Sequence, residues 1–462
     1  MEQAVKILCA SAVDPYAEDH TRYLPLWPAY LSAYLTRHMG AGKVKIEYFN
    51  GDLEKDIRAG HPDVVALSSV TQNYGIALDM ARTAKSHGLP VVIGGMHISS
   101  LPRSMSADTD VACLGEGEET FCELMRLFVD RGEFDTGRLA GISGIAYHRE
   151  GEIVRTRERP LIELLDDIPH PDRRVIGYGR SRDYLYTARG CSYRCVFCAS
   201  NAHWKRVRYA SARYVLEEIQ ELVDHGVRTI RFNDDNLPAN GPRLREIAAM
   251  VVDRGIHRRA RFSCWARAND ITEETVRDLK AMNVVAVVMG LESGNDRVLA
   301  ELKGAASVDQ NRRAVNLLRD ARIQTSADFI IGAPDETEEE IMDTERFIRK
   351  NRLDFVTVNV FSPLPGTPVW ELAERRGLVS ETMDFRKCTF KFGPDPSSAL
   401  MLSERLTHER LWRVYRRLKR LALVRSLMAI PGSPWVRELP GVLVRKIAGK
   451  LKRVSSSASR RT

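Results

Sequence analysis

The sequence lacks the features of a secreted or membrane-spanning protein. Its 462 residues hold only eight cysteines, too few for a disulfide framework in a chain of this length. No charged region followed by a long apolar run opens it, so no signal peptide is expected. No apolar stretch reaches the roughly 18 residues that a spanning helix needs. Together these absences point to a reducing cytoplasm. Most of the chain also lacks a basic bias. The net charge of +8 comes from one end, where residues 405–462 contain 16 Lys and Arg against two acids, Glu409 and Glu438. The remainder is net negative, which does not argue for a nucleic-acid substrate in the catalytic body. The length suggests two or three domains. A hydrophobic content of 44% is that of a globular protein with a real core.

Three of the few cysteines are clustered. Cys191, Cys195 and Cys198 stand in Arg189-Gly190-Cys191-Ser192-Tyr193-Arg194-Cys195-Val196-Phe197-Cys198, a C-x3-C-x2-C spacing. Three thiolates this close can hold three irons of a cubane 4Fe–4S cluster. The fourth iron then has no protein ligand, and an open position is what separates a catalytic metal site from a closed structural one. The alternative is a zinc site completed by His203. Cys9, Cys113, Cys122, Cys264 and Cys388 are scattered and read as buried thiols.

Two α/β units flank this motif. In the first, Val5-Lys6-Ile7-Leu8, Val64-Val65-Ala66-Leu67-Ser68, Val91-Val92-Ile93 and Asp110 to Leu114 read as strands. Helices are expected over 25–35, 74–87 and 119–129, which implies an open, mostly parallel sheet. Ligands bind such sheets at the carboxyl ends of the strands. That edge carries Ser68-Ser69-Val70-Thr71, Gly94-Gly95 and Gly115-Glu116-Gly117-Glu118. A hairpin turning at Glu150-Gly151-Glu152 and a stiff connector, Ile168-Pro169-His170-Pro171-Asp172, follow. The second unit shows six βα rounds, with strands at 184–189, 228–233, 260–265, 284–290, 324–331 and 354–361. Helices fall near 211–225, 242–254, 272–281, 309–320, 336–350 and 368–376. Six rounds fit an incomplete barrel rather than eight-fold closure. The cysteine motif lies just past the first strand, where barrel enzymes place catalytic loops.

The cysteine motif resembles the signature of the radical S-adenosylmethionine (radical SAM) superfamily. In that family the open iron chelates S-adenosylmethionine, and one electron cleaves the sulfonium to give methionine and a 5′-deoxyadenosyl radical. The strand ends resemble the family in order. Asp234 and Asp235 stand where it contacts the methionine amino group, and Arg267 where it pairs with the carboxylate. Glu292, followed by Ser293, stands where it accepts the ribose hydroxyls. The first unit resembles the cobalamin-binding domain fused to many of these enzymes, through Ser69 and Thr71, Gly94-Gly95, and Gly115-Glu116. One departure is that Asp14 to His20 does not match the D-x-H-x-x-G element of cobalamin mutases, so histidine ligation of cobalt is not expected.

The resemblance implies an N-terminal Rossmann-like cobalamin-binding domain (1–135), a linker with a hairpin (136–180), a partial (β/α)6 TIM-type radical SAM barrel (181–390) and a basic helical C-terminal region (391–462). It implies a 4Fe–4S cluster, S-adenosylmethionine and cobalamin as cofactors, and a reducing donor such as flavodoxin or ferredoxin. The activity it points to is cobalamin-dependent C-methylation of an unactivated carbon in a small-molecule or lipid metabolite. Ring formation, ring contraction or carbon–carbon coupling without a methyl donor is the alternative, and a non-catalytic metal protein a third. No second cysteine triad stands in the first unit, which argues against a methylthiotransferase.

The tail reads as basic amphipathic helix. Apolar residues recur at 411, 414, 415, 418, 421 and 422, with arginines and lysines opposite. Val442 to Val454 repeats the theme, and Ser455 to Thr462 is polar. Such a helix either lies on an anionic membrane surface or packs on the barrel with a solvated basic face. Phe197 is expected to pack against the cluster, Trp204 to be a packing residue, and His203 is a candidate pocket residue.

Overall fold

The computed structural model describes residues 4–13, 25–49, 51–179 and 181–430. The Asp14 to His20 loop, Val442 to Val454 and Ser455 to Thr462 lie outside the described residues.

The first sheet has seven strands: β1 (Val5–Ser11), β2 (Val44–Tyr48), β3 (Val64–Ser68), β4 (Val91–Gly94), β5 (Val111–Cys113), β6 (Ile145–Arg149) and β7 (Glu152–Arg155). Their spatial order is β2-β1-β3-β4-β5-β6-β7. The first five are parallel, and the hairpin strands β6 and β7 add antiparallel at the β5 edge. The hairpin therefore extends this sheet rather than hanging between units. Its turn residues Glu150 and Gly151 both have positive φ, as a two-residue hairpin turn demands. The runs in β3 and β4 are apolar without alternation because helices cover both faces. The strand order reverses between β1 and β3, with β2 on one side and β4 and β5 on the other, which opens a crevice at their carboxyl ends.

The second sheet contains β8 (Arg182–Leu185), β11 (Thr229–Phe232), β12 (Arg261–Ala266), β13 (Val284–Glu292), β14 (Gln324–Ile331) and β15 (Phe355–Val360), all parallel and in chain order. A two-stranded ribbon of β9 (Ala188–Arg189) and β10 (Arg208–Tyr209) stands apart. Among the described residues β15 does not pair with β8, so the barrel is open. Alternation separates the two faces of this sheet. Phe262, Cys264 and Ala266 are buried in the shell beneath the helices, while Ser263 and Trp265 face the other way and keep some exposure. Asp328, Thr357 and Asn359 do the same on β14 and β15. A closed eight-stranded barrel fills its interior with branched apolar layers; here the inward positions include the polar Ser263, Asp328, Thr357 and Asn359.

Helix His408–Ala429 runs along β15 and covers the open edge. Leu411, Val414, Tyr415, Leu418 and Ala422 are buried in the barrel's core, and Arg417 pairs with Glu345 at 2.7 Å. The apolar stripe read from the sequence thus meets protein. Leu411 also packs on Gly332, whose φ of +85° and missing Cβ leave room for the leucine methyl 2.7 Å from the Cβ position. Leu411→Ala should cost about 2–5 kcal/mol, read as a lower denaturant midpoint with unchanged slope.

Candidate active site

The cysteine loop begins where β8 stops. The sequence reading carried this strand to residue 189, but the chain leaves the sheet after Leu185. Asp234, at the end of β11, causes the break. One of its oxygens accepts the Thr187 amide at 2.6 Å and the Ala188 amide at 3.2 Å, and the other accepts the Thr187 hydroxyl. Both oxygens are engaged, so of the expected pair only Asp235 lines the cavity described below. Burial raises the Asp235 carboxyl, opposed by a hydrogen bond from Ser200.

Residues 190–207 form a loop closed at its base by the β9–β10 ribbon, in which Arg189 and Arg208 are directly opposed. Like charges at opposed positions repel. Acids from the first unit resolve the conflict. The Glu116 carboxylate accepts from Arg189 at 2.6 Å and from Arg208 at 2.8 Å, and Glu118 takes the second arm of Arg189. Glu116 also accepts the Ile162 amide at 2.8 Å. Burial pushes the Glu116 carboxyl up, but the two guanidiniums outweigh it and hold it below its usual value. Gly190 then turns with φ +90°, where a Cβ would lie 2.7 Å from the Arg206 carbonyl oxygen.

Cys191, Cys195 and Cys198 are half-buried in this loop. Burial pushes the Cys198 thiol up to about 12 and raises Cys191, so metal binding must displace protons there. Arg267, from the end of β12, donates to the Cys195 sulfur at 3.3 Å and to the Lys303 carbonyl at 2.9 Å. Its guanidinium stacks 3.8 Å from the Tyr193 ring centre. Tyr193 donates to Asp270 at 2.9 Å, and the Val196 amide donates to Leu302 at 3.1 Å. The short helix Asp296–Lys303, absent from the sequence reading, thereby braces the loop. Phe197 meets Phe361 edge-on at 6.4 Å.

Glu292 ends β13 with φ +62° and lies 3.9 Å from the Lys303 ammonium. Burial pushes its carboxyl up to about 7, with Lys303 pulling the other way. Ser293 faces elsewhere: fully buried, it lies 3.3 Å from the Thr344 hydroxyl and accepts the Asn295 amide at 3.1 Å.

On the first sheet's edge, Gly95 has φ +102°, and a Cβ there would lie 2.5 Å from the Ser69 carbonyl oxygen. The Ser69 hydroxyl is buried without a partner. Thr71 contacts His97 at 3.3 Å, and His97 is held between Tyr74, Phe385 and the Ser104 hydroxyl. Gly115 donates its amide to Ser99 at 3.0 Å. Ser68, Gly94, Gly95, Gly115 and Glu116 line a cavity of about 480 Å3 whose opposite wall carries Arg189, Gly190, Ser200, His203, Trp204 and Asp235. Ser69 and Thr71 sit outside its wall. His203 therefore is a cavity residue, and Trp204, expected as packing, lines it too and packs 5.5 Å from the Arg189 guanidinium.

These surroundings fit the expected groups. The loop offers three thiols beside a guanidinium donor, and the sheet edge offers a side-chain-free backbone step with a spare hydroxyl beneath it. A zinc site would need the cysteines and His203 to converge on one ion. His203 sits edge-on to Trp204 at 4.5 Å and lines the cavity.

Comparison with known proteins agrees. The radical SAM superfamily model matches residues 185–348 and the B12 binding domain model residues 18–125. An uncharacterized methyltransferase of Pyrococcus horikoshii is 30% identical over 73% of this chain and 75% of its own. The anaerobic magnesium-protoporphyrin IX monomethyl ester cyclase of Cereibacter sphaeroides is 27% identical over 81% of this chain and 64% of its own. The fold matches the radical SAM methyltransferase TsrM of Kitasatospora setae, solved with cobalamin and a [4Fe-4S] cluster bound. The TM-score is 0.65 at 20% identity, covering 81% of this chain and 79% of that one. The chain belongs to the radical SAM superfamily, in the group that carries a B12-binding domain. It is a radical SAM enzyme whose cofactors are the 4Fe–4S cluster, S-adenosylmethionine and cobalamin.

The acids that clamp the loop base were partly legible, since Glu116 was singled out, but as a cofactor contact. Arg189, Arg208 and Lys303 were missed, and Glu118 was placed on the ligand edge without a role of its own. Only the adjacency of Arg189 to the motif could have flagged it.

Two outcomes follow from these charges. Arg189→Met leaves two buried carboxylates short of a partner and should cost about 3–5 kcal/mol in chemical denaturation. Glu292 has a folded pKa raised above its unfolded value, so its stabilising contribution is full below about pH 4.5 and lost as pH rises through about 7. Stability curves of wild type and Glu292→Gln should therefore diverge across that window and run parallel above it.

Proposed function

We propose that this enzyme methylates an unactivated carbon in a small-molecule or lipid metabolite, using cobalamin as methyl carrier. The observation that carries the reading is the shared cavity, into which the carboxyl edge of the B12-binding sheet and the base of the cysteine loop both open. When bound, the cluster supplies the electron that cleaves S-adenosylmethionine, and cobalamin supplies the methyl group. The chain's own residues do the positioning. Cys191, Cys195 and Cys198 hold the metal, and Arg267 donates to the Cys195 sulfur. Asp235, Arg267 and Glu292 are the side chains assigned to S-adenosylmethionine. Gly94, Gly95 and Gly115 let backbone approach the corrinoid, with the Ser69 hydroxyl as a hydrogen-bonding group. The aromatic wall of Tyr184, Tyr186, Trp204 and Tyr214 excludes water from the reacting carbon. Electrons come from a small reducing protein such as flavodoxin or ferredoxin.

One observation favours ring formation as the second reading: the cyclase relative aligns over more of this chain than the methyltransferase relative does. Both readings need the same core. They differ in whether the methyl group of S-adenosylmethionine reaches the product.

Protein reconstituted without oxygen should bind about four irons and one corrinoid per chain. Cys195→Ala should lose the iron, and Gly95→Val should lose the corrinoid while keeping the iron, both measured by absorbance after desalting. Iron without corrinoid in the wild type would overturn the methylation reading in favour of the second one.

A further inference from the structure

Among the described residues the exposed large apolar side chains are not evenly spread. Val70, Leu164, Val252 and Leu378 stand singly, as surface apolar residues usually do, and Tyr186 faces the cavity. The other four occupy six positions at the end of helix His408–Ala429: Leu423, Val424, Leu427 and Met428, which are 60%, 53%, 56% and 74% exposed. They are not part of the stripe that packs on β15. Leu423 and Leu427 are four apart, as are Val424 and Met428, so the four make one face. Stepping back along that face by three and four residues meets Arg420, Arg416 and Arg413, all exposed. The helix therefore carries two apolar faces. One is buried against the barrel; the other begins where the barrel contact ends and continues a row of arginines. Residues 431–462, which follow directly, contain eight Lys and Arg against the single acid Glu438.

We propose that this end of the helix docks on an anionic lipid surface, with Leu423, Val424, Leu427 and Met428 entering the headgroup boundary and Arg413, Arg416 and Arg420 binding lipid phosphates. Charge complementarity selects the occupant. A protein partner of ordinary mixed charge would satisfy the apolar face alone, whereas contiguous apolar and cationic surface on one helix face, with a cationic extension beyond it, matches an anionic bilayer. The net-negative catalytic body is then held with its basic end toward the membrane. This inference stands independently of the chemistry proposed above.

The test is sedimentation of the full-length holoenzyme with vesicles of phosphatidylcholine alone and of phosphatidylcholine with phosphatidylglycerol. The expected result is recovery with the anionic vesicles only, weakened by salt. Leu423→Ser with Leu427→Ser, and separately Arg416→Glu with Arg420→Glu, should each lower the partition coefficient at least about tenfold, with cluster absorbance unchanged. Equal recovery with both vesicle types, or none with either, would overturn the proposal. So would vesicle-independent self-association abolished by the serine variant, which would assign the face to a second copy of the chain.

Discussion

Two arginines face each other across a ribbon only two residue pairs long, and the ribbon closes the loop that carries the three clustered cysteines. Unit charges about 5 Å apart repel by roughly 3 kcal/mol at an effective dielectric near 20. Two backbone pairs cannot offset that. Glu116 and Glu118 reverse the sign of the interaction, and both come from the turn after β5 in the B12-binding unit. The cysteine loop is therefore closed by the neighbouring domain. The same segment supplies Gly115 and Glu116 to the cavity wall, so the charge clamp and the carboxyl edge of the first sheet share their residues. This is a buried network with every charge countered. In such a network the net stabilisation is small but the penalty for removing one member is large, which suits a device that sets register.

A second group of charges tunes the barrel mouth. Arg267 touches the Cys195 sulfur, and the helix that supplies Lys303 also accepts the Val196 amide. Lys303 in turn faces Glu292, whose backbone sits at positive φ and whose carboxyl is pushed up to about 7 by burial. Without ligand, then, the site holds a poorly solvated carboxyl beside a cation. A bound cosubstrate offering hydroxyl donors would relieve that cost. Ser263, Asp328, Thr357 and Asn359 stand at inward positions of the barrel, and helix His408–Ala429 covers the open edge from outside.

Much of this was legible from residues alone because it follows periodicity. The apolar runs of β3 and β4, the alternation in β12 and β15 and the spacing of the cysteines each report a local constraint. Illegible features depend on contacts between distant positions. The path from Leu185 to Ala188 is bent by Asp234, more than forty residues away, and Asp234 was read as a ligand contact for that reason. Ser293 sits beside Glu292 in sequence but turns into the Thr344 contact. Helix Asp296–Lys303 is short and its role depends on Arg267. The tail shows the same limit: the 411–422 stripe was correctly read as amphipathic, but only the fold shows that it covers β15.

The central claim is that Glu116 closes the cysteine loop from the neighbouring domain. Hydrogen–deuterium exchange on the oxygen-free holoenzyme tests it directly, comparing wild type with Glu116→Gln over residues 187–209. The account predicts faster exchange in that segment and in the Gly115 to Glu118 turn, with β12 and β13 unchanged. Unaltered exchange across residues 187–209 would contradict it.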